Sequence, residues 1–500
     1  MILSPEAMYT VEKRAFASGA KPEALMDEAG GLMTEVVRQF CKRPGTCLAF
    51  FGKGHNGGDA LVVGRHLTQM GWKVVLIPAF PETDWAPLTT LKHRQAGLCE
   101  TWSGAELERW RPTPGEPLIV LDGLLGIGAT GNLKKPILSQ CRYINKLRAC
   151  TSAQVFALDV PTGLNGSTGE AQPDTIIADV TLTVGFAKSG LLADGAERWV
   201  GRLALLPLEA LTTQVDEIAP LEIATPATLA PVWKRRTADM HKGDCGRVTL
   251  VAGARGTIGA AALAARGALR AGAGLVTLCV PESIYALAAT MVPAECMVLP
   301  VRDLREALAL RADALGIGPG LGVEHPESTL EVIGAFRGPA VIDADALNVL
   351  AAGRMDALLR CAGPRLCTPH PGEMARMDPA GIGLARRVCV ERATLRWPVT
   401  LLLKGARTLV GTQGRALTYN TTGNPGMASG GMGDVLTGVC AALLAQGLGC
   451  HEAAVLGAWL CGRAAEALVT EGSRSQESLL ASDVADALGT AFNALRERGH

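Results

Sequence analysis

The sequence predicts a two-domain α/β protein. The chain has 500 residues, more than a single hydrophobic core usually supports, so at least two domains are expected. Glycine is abundant, with 59 residues, whereas aromatic residues make up only 4% of the chain. Short apolar runs alternate with amphipathic, alanine-rich stretches, which is typical of parallel sheets covered by closely packed helices.

The junction between the domains is predicted near residues 210–230. Segment 208–231 is rich in Thr, Pro and Ala and has no clear hydrophobic period. We therefore expect an N-terminal domain over residues 1–215 and a C-terminal domain over residues 225–500.

The N-terminal domain is predicted to be a Rossmann-like three-layer domain. Its expected strands are separated mostly by amphipathic segments, which implies a parallel sheet with right-handed crossovers. These strands are 47–51, 73–77, 118–121, 155–158 and 180–184. The C-terminal strands are expected at 248–252, 274–280, 314–317, 340–343, 365–367 and 400–404.

Composition excludes several classes of function. The formal net charge is +0, so nothing favours nucleic acid or a membrane surface as a partner. The 14 cysteines are scattered, without a CxxC pair, which favours reduced thiols over disulfides or zinc. The first residues lack an apolar signal core, and the apolar run 453–461 looks too short and broken to span a bilayer. We expect a soluble, cytoplasmic protein.

The first strand is followed by a glycine-rich loop, GKGHNGGDA. Gly52, Gly54 and Gly57 fit the GxGxxG spacing of a dinucleotide loop between a strand and a helix. A standard NAD site is nevertheless a poor fit, because the second strand is followed by Pro78 and not by an acid that could hold a ribose hydroxyl. The acid lies within the loop instead, at Asp59, close to Asn56.

Two further acids end strands in this domain. Asp122 follows an apolar run in LIVLDGLLGIGATG, and Asp159 follows another in VFALDVPTGLNG. Ligands of open α/β sheets bind at the carboxyl ends of strands, so Asn56, Asp122 and Asp159 should converge there, with Thr162 nearby. Oxygen ligands of this kind suit a hard cation, and one acid could hold the cation while the other moves a proton. Alternatively, both acids cap loops or helix starts.

The most informative segment is 423–438, GNPGMASGGMGDVLTG, in the C-terminal domain. Glycines 430, 431 and 433 allow close backbone approach to a ligand, and a helix is expected to follow at 435–444. This arrangement predicts an anion site at a helix N-terminus. A carboxylate there, Asp434, makes chemical sense as a base acting on a neutral group beside a phosphate. The alternative is a glycine-rich turn with Asp434 as an N-cap.

Other glycine-rich segments of this domain follow strands, at 253–261, 316–322 and 403–410. Lys404 ends an apolar strand, where it could meet a phosphate as a point charge. His370 stands between two prolines in TPHPGE and could contact a ligand or be a structural loop residue. Asp343 and Asp345, with Asn348 one turn on, could serve a hydrated cation near phosphates or cap a helix.

These motifs resemble those of known families. HKGDCGRV, GIGPGLG, VIDADALNVL, TPHPGE, LKGARTLV and GNPGMASGGMGDVLTG are similar to those of ADP-dependent NAD(P)H-hydrate dehydratases, which have a ribokinase-like α/β fold. GKGHNGGDA, LDGLLGIGATG and LDVPTGLNG resemble those of NAD(P)H-hydrate epimerases, which have a Rossmann-like fold. Together they resemble the bifunctional NAD(P)H-hydrate repair enzymes over nearly the whole chain.

The resemblance implies two activities on the hydrates NADHX and NADPHX. The isomerase activity interconverts the R and S hydrates. The lyase activity dehydrates the S form to NAD(P)H and converts ADP to AMP and phosphate, with magnesium expected beside the nucleotide. The resemblance is also consistent with a homo-oligomer.

It also implies roles for residues of the N-terminal domain. Hydrate contacts fall on His55, Asn56, Gly57, Gly58 and Asp59, and cofactor phosphates on Gly126, Ile127, Gly128, Ala129, Thr130, Gly131 and Asn132. Asp159 would meet the reacting nicotinamide ring and move the proton. Potassium would be held by Asn56, Asp122 and Thr162.

In the C-terminal domain, the resemblance implies a hydrate site and a nucleotide site. The hydrate site comprises Ala260, Gly322, His370 and Asp434, with Asp434 as the catalytic base. The nucleotide site comprises Lys404, Gly405, Ala406, Arg407, Thr408 and Gly433.

The N-terminal loop departs from the family pattern NNGGDG. His55 replaces an asparagine and adds a titratable group, and Ala60 replaces a glycine, which would forbid an easy positive φ. A binding-only N-terminal domain is therefore one alternative. A ribokinase-like small-molecule kinase and a nucleotide-sensing protein without turnover are two others.

Overall fold

In the computed structural model, which describes residues 2–129, 131–214, 221–233 and 235–497, the chain divides into two units, each with its own sheet. The units are Met1–Ala219 and Pro220–His500. The predicted α/β class is confirmed in both, because helices surround a mainly parallel sheet in each.

The first unit is built on a seven-stranded, wholly parallel sheet. Its strands lie in the order β4-β3-β2-β5-β6-β7-β9, and a separate parallel pair joins β1 to β8. The strands are β1 (Ile2–Leu3), β2 (Thr46–Phe51), β3 (Lys73–Pro78), β4 (Glu100–Thr101), β5 (Leu118–Gly123), β6 (Gln154–Leu158), β7 (Val180–Val184), β8 (Ala187–Lys188) and β9 (Arg202–Leu206). The central strands are buried along nearly their whole length, as expected of a parallel sheet covered on both faces.

Helices cover this sheet, and local sequence signals explain where several begin. They are α1 (Pro5–Ala17), α2 (Pro22–Phe40), α3 (His55–Gln69), α4 (Pro87–Gln95), α5 (Gly104–Arg109), α6 (Ile137–Cys150), α7 (Glu197–Val200) and α8 (Glu209–Thr212). Ser4 caps α1 by accepting a hydrogen bond from the Ala7 N–H at 3.2 Å, and Pro5 fills the first helical position.

The second unit contains a ten-stranded sheet in the order β10-β19-β18-β17-β16-β15-β14-β11-β12-β13. Its pairs are parallel except β17–β18 and β18–β19. The strands are β10 (Leu221–Ile223), β11 (Arg247–Val251), β12 (Leu275–Pro281), β13 (Cys296–Val301), β14 (Ala314–Ile317), β15 (Ala340–Ile342), β16 (Arg365–Cys367), β17 (Thr400–Leu403), β18 (Thr408–Thr412) and β19 (Leu417–Asn420).

Two helices of this unit pack unusually closely. Helices α10 (Ile258–Arg270) and α16 (Met432–Ala445) approach backbone to backbone. Added Cβ atoms at Gly267 and Gly438 would clash with the backbone carbonyls of Val435 and Ala264. The helices are α9 (Pro226–Leu229), α10 (Ile258–Arg270), α11 (Tyr285–Met291), α12 (Pro326–Ala335), α13 (Ala344–Ala351), α14 (Pro371–Met377), α15 (Arg386–Arg396), α16 (Met432–Ala445), α17 (Cys450–Thr470), α18 (Ala481–Asp486) and α19 (Leu488–Glu497). This close approach requires glycine at both positions.

The apolar run 453–461 corrects one expectation. It is neither short nor broken, because it lies within α17, a helix of 21 residues whose length and hydropathy would suffice to cross a membrane. However, 78% of its most apolar window is buried within the protein, and buried core helices share that composition. The cysteines are all free thiols, and most are buried.

Candidate active sites

The loop after β2 brings backbone close to backbone in the first unit. An added Cβ at Gly52 would clash with the Leu124 carbonyl, and one at Gly57 would clash with the Gly52 carbonyl. Helix α3 begins at His55, so the predicted hydrate contacts from His55 to Asp59 form its first turns. Their N–H groups and the helix dipole favour a ligand with negative charge.

The concern about Ala60 is wrong. Ala60 lies inside α3, fully buried, and is not among the described residues with positive φ. A helical backbone conformation suits alanine better than glycine, so the departure from the family pattern causes no strain.

Three of the predicted residues are linked around a buried carboxylate. Thr162 donates to Asp122 through its hydroxyl at 2.7 Å and its N–H at 2.8 Å. Leu125 connects this pair to Asn56, because its N–H donates to the Thr162 hydroxyl and its carbonyl accepts from the Asn56 amide. Burial raises the pKa of Asp122 to about 6, although hydrogen bonds from Thr162 and Leu124 oppose the shift.

The Asn56 side-chain oxygen of this cluster is buried and has no hydrogen-bond partner in the described part of the chain. An orphaned amide oxygen beside a carboxylate and a hydroxyl is a donor set that suits a hard cation. The residues predicted to hold potassium therefore fit such an ion.

Asp159 immediately follows β6 and adopts a left-handed backbone, with φ of 64°. Its N–H donates to the Leu182 carbonyl at 2.8 Å, and its Oδ1 accepts from Lys188 and, at 3.4 Å, from Thr183. A non-glycine residue in this region is strained, which is a common feature of functional sites.

Further acids lie near Asp159. Burial, reinforced by the charges of Asp159 and Glu12, raises the pKa of Asp59 well above its usual value. Burial and Asp159 also raise the pKa of Glu12. Glu12 lies on α1 and was not expected from the sequence to be near the site.

The predicted phosphate loop follows β5. The Asn56 side chain lies against Gly126, and an added Cβ at Gly128 would clash with the hydroxyl of Tyr9. Gln172 supports the loop by donating to the Gly131 carbonyl at 2.6 Å and accepting from the Leu133 N–H at 2.7 Å. Ile127, Ala129 and Asn132 belong to the same loop, whereas Thr130 lies outside the described residues.

In the second unit, Asp434 occupies the first turn of α16. Gly431 precedes the helix with φ of 90°, a left-handed conformation that favours glycine. Burial, followed by the charge of Asp343, raises the pKa of Asp434 to about 6, while Lys404 opposes the shift. Asp434 is therefore an acid–base group poised near neutral pH at a helix N-terminus.

A chain of polar contacts lies next to Asp434. The Lys404 ammonium donates to Asp343 Oδ1 at 2.7 Å, and the Thr437 hydroxyl donates to Asp343 Oδ2 at 2.8 Å. Glu373 lies 3.7 Å from the same ammonium. Burial favours the neutral amine, but the charges of Asp343, Glu373 and Asp434 outweigh it and raise the pKa of Lys404. Lys404 is thus a fixed positive charge.

His370 caps α14. Its side-chain Nδ1 accepts from the backbone N–H groups of Gly372 and Glu373, at 3.0 and 3.4 Å. The backbone N–H of His370 donates to the Glu373 carboxylate at 2.8 Å. The side chain is half exposed, and its Nε2 lies 3.4 Å from Glu373 Oε1. The structural alternative for His370 therefore holds in the form of a helix cap, and its contact with a ligand stays a prediction.

The predicted nucleotide residues form the turn between β17 and β18. An added Cβ at Gly405 would press on the Arg386 guanidinium, and Thr408 donates to the Gly405 carbonyl at 3.2 Å. Ala406 is exposed on this turn, and Arg407 is buried. Gly433 faces the Lys404 side chain, since an added Cβ would lie 3.1 Å from the Lys404 Nζ atom.

Ala260 and Gly322 meet at the same sheet edge. Ala260 lies on α10 against Gly320, in the loop that ends at Gly322. The Gly322 N–H donates to Asp345 Oδ2 at 2.9 Å, so Asp345 fixes this loop. Within the described ranges, no three His, Cys, Asp or Glu side chains are grouped to hold a metal ion. Asp343 stands at the N-cap position of α13, but within the described residues its carboxylate makes no capping bond and pairs with Lys404, so the capping alternative is wrong for its side chain, whereas the cation alternative stays a prediction.

Besides Glu12, three side chains that line these sites were not singled out from the sequence. Lys188 lies outside any motif and contacts Asp159 only because β8 follows β7 in the fold. Thr437 and Glu373 lie within motifs, but one hydroxyl or one acid in a helical segment gives no signal until a partner is known.

Comparison with known proteins identifies families for both units. The family model described as NAD(P)H-hydrate dehydratase matches residues 248–488, and the one described as YjeF-related protein N-terminus matches residues 22–190. Among solved structures, the ADP/ATP-dependent NAD(P)H-hydrate dehydratase from Bacillus subtilis is 27% identical, with a TM-score of 0.48. That match covers 55% of this chain and 98% of the other.

Relatives match over nearly the full length. The bifunctional NAD(P)H-hydrate repair enzyme Nnr of Moorella thermoacetica is 36% identical, covering 95% of this chain and 93% of the relative. The enzyme of the same name from Escherichia coli strain K12 is 35% identical, covering 94% and 89%. This chain belongs to the family of bifunctional NAD(P)H-hydrate repair enzymes.

Proposed function

We propose that this chain repairs hydrated nicotinamide cofactors, epimerising R and S NAD(P)HX and dehydrating the S form at the expense of ADP. The observation that carries the proposal is Asp434, a carboxyl with a pKa near 6 at the N-terminus of α16. An anion-binding loop that contains a proton acceptor suits phosphoryl transfer to a neutral hydroxyl.

Asp434 acts as the general base of the dehydratase. It takes the proton from the C6 hydroxyl as that oxygen attacks the terminal phosphoryl group of ADP, and AMP leaves. The phosphorylated hydrate then loses phosphate from C6 and a proton from C5, which passes to solvent, to give NAD(P)H. Phosphate is a far better leaving group than hydroxide, which is the reason for coupling dehydration to a nucleotide.

The nucleotide is assigned to the β17–β18 turn, from Lys404 to Thr408, together with Gly433. Lys404 is a charged donor held in place by Asp343, beside the helix that carries Asp434. A fixed cation at this position favours the phosphates of ADP. Magnesium is expected to accompany the nucleotide, bound largely through phosphates and water, as is usual for that ion.

Epimerisation is assigned to the first unit, with Asp159 as the proton carrier. Asn56, Asp122 and Thr162 would hold potassium, a proposal supported by the buried, unpartnered Asn56 oxygen. Potassium would supply positive charge beside the phosphates of the hydrate. His55, Gly57, Gly58, Asp59 and the loop 126–132 would bind the hydrate.

The domain assignments follow from these sites. Residues 1–215 form the epimerase domain and residues 225–500 the dehydratase domain. This assignment is supported by the division of the chain at Ala219–Pro220 and by the separate family matches. We further propose a cytoplasmic homo-oligomer that acts on small molecules.

A mixture of R- and S-NADHX tests both activities. With ADP, the wild-type protein should return nearly all of it to NADH, as followed by absorbance. Recovery of the S fraction alone would reject the epimerase, and no recovery with ADP or ATP would reject the dehydratase. Accumulation of a phosphorylated product without NADH would favour a small-molecule kinase.

A further inference from the structure

Lys188 is a buried lysine that none of the assigned functions uses. It lies on the two-residue strand β8, which pairs with β1, and its side chain is only 2% exposed. Its ammonium donates to Thr183 Oγ1 at 3.1 Å, to the Val184 carbonyl at 3.0 Å and to Asp159 Oδ1. All three ammonium protons therefore have acceptors, which fixes the position of the charge.

The contact with Asp159 leaves that carboxylate asymmetric. Oδ1 accepts from both Lys188 and Thr183, whereas Oδ2 has no hydrogen-bond partner within the described parts of the chain. Asp159 is 16% exposed at its side chain, so one of its oxygens can reach a ligand. The left-handed backbone at this residue holds the carboxylate away from the regular path of the strand.

We propose that Lys188 is a positioning residue of the epimerase, which holds Oδ1 of Asp159 so that Oδ2 exchanges the proton with the substrate hydroxyl. The inference rests on the proposed epimerase function. It assigns a role to a residue outside the glycine-rich and acidic motifs.

A proton from solvent passes through Oδ2 of Asp159 to the C6 hydroxyl as the C6–O bond breaks, water leaves, and the ring nitrogen lone pair takes up the positive charge. The Lys188 ammonium stabilises the carboxylate that forms. Water then adds to either face of C6 and returns the proton to Oδ2, so no oxidant, reductant or nucleotide is needed.

Two other acids face this ion pair. Glu12 on α1 and Asp59 on α3 both interact electrostatically with Asp159 and Lys188. The pKa of each is raised, first by burial, which favours their neutral forms and leaves Asp159 as the hydrogen-bonded partner of Lys188. Tyr9 also lies near Asp159.

The test compares Lys188→Met with Lys92→Met in the full-length protein. Lys92 is a matched control, because it is equally buried and paired with Asp27 at 2.9 Å in the same unit, but belongs to no proposed site. Lys188→Met should lower the epimerase kcat by about 100-fold or more with little change in KM, as expected when a donor to a developing negative charge is lost. Dehydration of pre-formed S hydrate should be unchanged in both variants.

Chemical rescue separates charge from packing. In Lys188→Ala, added methylamine or ethylamine should restore part of the epimerase rate, and no amine should affect Lys92→Ala. A folded Lys188→Met with a kcat within threefold of wild type would overturn the inference. So would a slow Lys188→Ala that amines leave unchanged.

Thermal unfolding and retained dehydration of S hydrate report on folding. If Lys188→Met and Lys188→Ala do not fold, Lys188→Arg, which keeps the charge but displaces its donors, decides instead. A reduced kcat at unchanged thermal stability would support the inference, and a wild-type kcat would overturn it. A wild-type protein that cannot epimerise refutes the proposed function itself, whereas an active protein indifferent to Lys188 refutes only this inference.

Discussion

Acidification should switch off the dehydratase through Asp434. Burial and the charge of Asp343, supported by Asp345 and Glu373, raise the pKa of Asp434 to about 6, against the opposing charge of Lys404. A general base acts only when it is ionised. One pH unit above that pKa about 90% of the molecules carry the base, and one unit below only about 10% do.

The rate should therefore fall about tenfold for each pH unit below the pKa of Asp434. The assay is the initial rate of NADH recovery from S-NADHX at low hydrate and saturating ADP, because kcat/KM for the hydrate then reports the ionisation of the ADP-bound enzyme before the hydrate binds. Asp434→Asn should lower the rate by about 10²–10⁴-fold and should abolish the fall in rate at acid pH. Calorimetric ADP binding by Asp434→Asn should stay close to wild type, which shows that the loss is chemical.

Two results would refute this reasoning. An acid limb centred near the ordinary aspartate pKa would mean that burial and the neighbouring acids do not act on the base. Near-native turnover of Asp434→Asn would mean that Asp434 is not the catalytic base.

The remaining predictions concern five other positions. Lys404→Ala should weaken ADP binding by about 1.5–3 kcal/mol and should also reduce stability by about 3–5 kcal/mol, because it leaves the buried Asp343 carboxylate unpaired. Combining Lys404→Met with Asp343→Asn should recover stability but not ADP affinity. With a mixture of R and S hydrates, Asp159→Ala should halt repair once the S hydrate has been consumed, apart from spontaneous epimerisation. Potassium at tenfold its dissociation constant should stabilise the first unit by about 1.4 kcal/mol, an effect that Asn56→Ala should abolish. Ala60→Gly should destabilise α3 by about 0.5–1 kcal/mol and leave epimerase activity no higher.

Each of these predictions has a contrary outcome. Unchanged ADP affinity in Lys404→Ala would remove that residue from the nucleotide site. Complete repair by Asp159→Ala would move the proton carrier elsewhere. Equal stabilisation by sodium and potassium would argue against a selective site, and an epimerase accelerated by Ala60→Gly would mean that the glycine is needed after all. Denaturant unfolding measures the stability changes.

The sequence predicted the central strands well because parallel strands buried on both faces are continuous apolar runs. Val180–Val184, Ala314–Ile317 and Arg365–Cys367 were predicted to the residue. Two strands near one end of the second sheet were missed. Strands β18 and β19 form antiparallel pairs after the Lys404 turn, and their short mixed sequences, TLVGT and LTYN, carry little periodicity.

The sites were predicted as motifs and not as networks. The loop with Asp434 is visible because its glycines mark unusual backbone positions. The pairing of Lys404 with Asp343, 61 residues earlier, depends on the order of the strands, since β15 and β17 flank β16, and has no local signature. The same holds for Lys188, the fixed charge beside Asp159, because it lies on β8, a strand of only two residues.

The first helix of the chain has a consequence for how variants are judged. The matching family model starts at residue 22, so it gives no weight to α1. Yet Met8, Val11 and Ala15 are buried, and Glu12 of the same helix faces Asp159. In a saturation mutagenesis screen, these positions should tolerate as few substitutions as positions in the core strands. A score based only on the residues that the family model covers would rank the same substitutions as neutral.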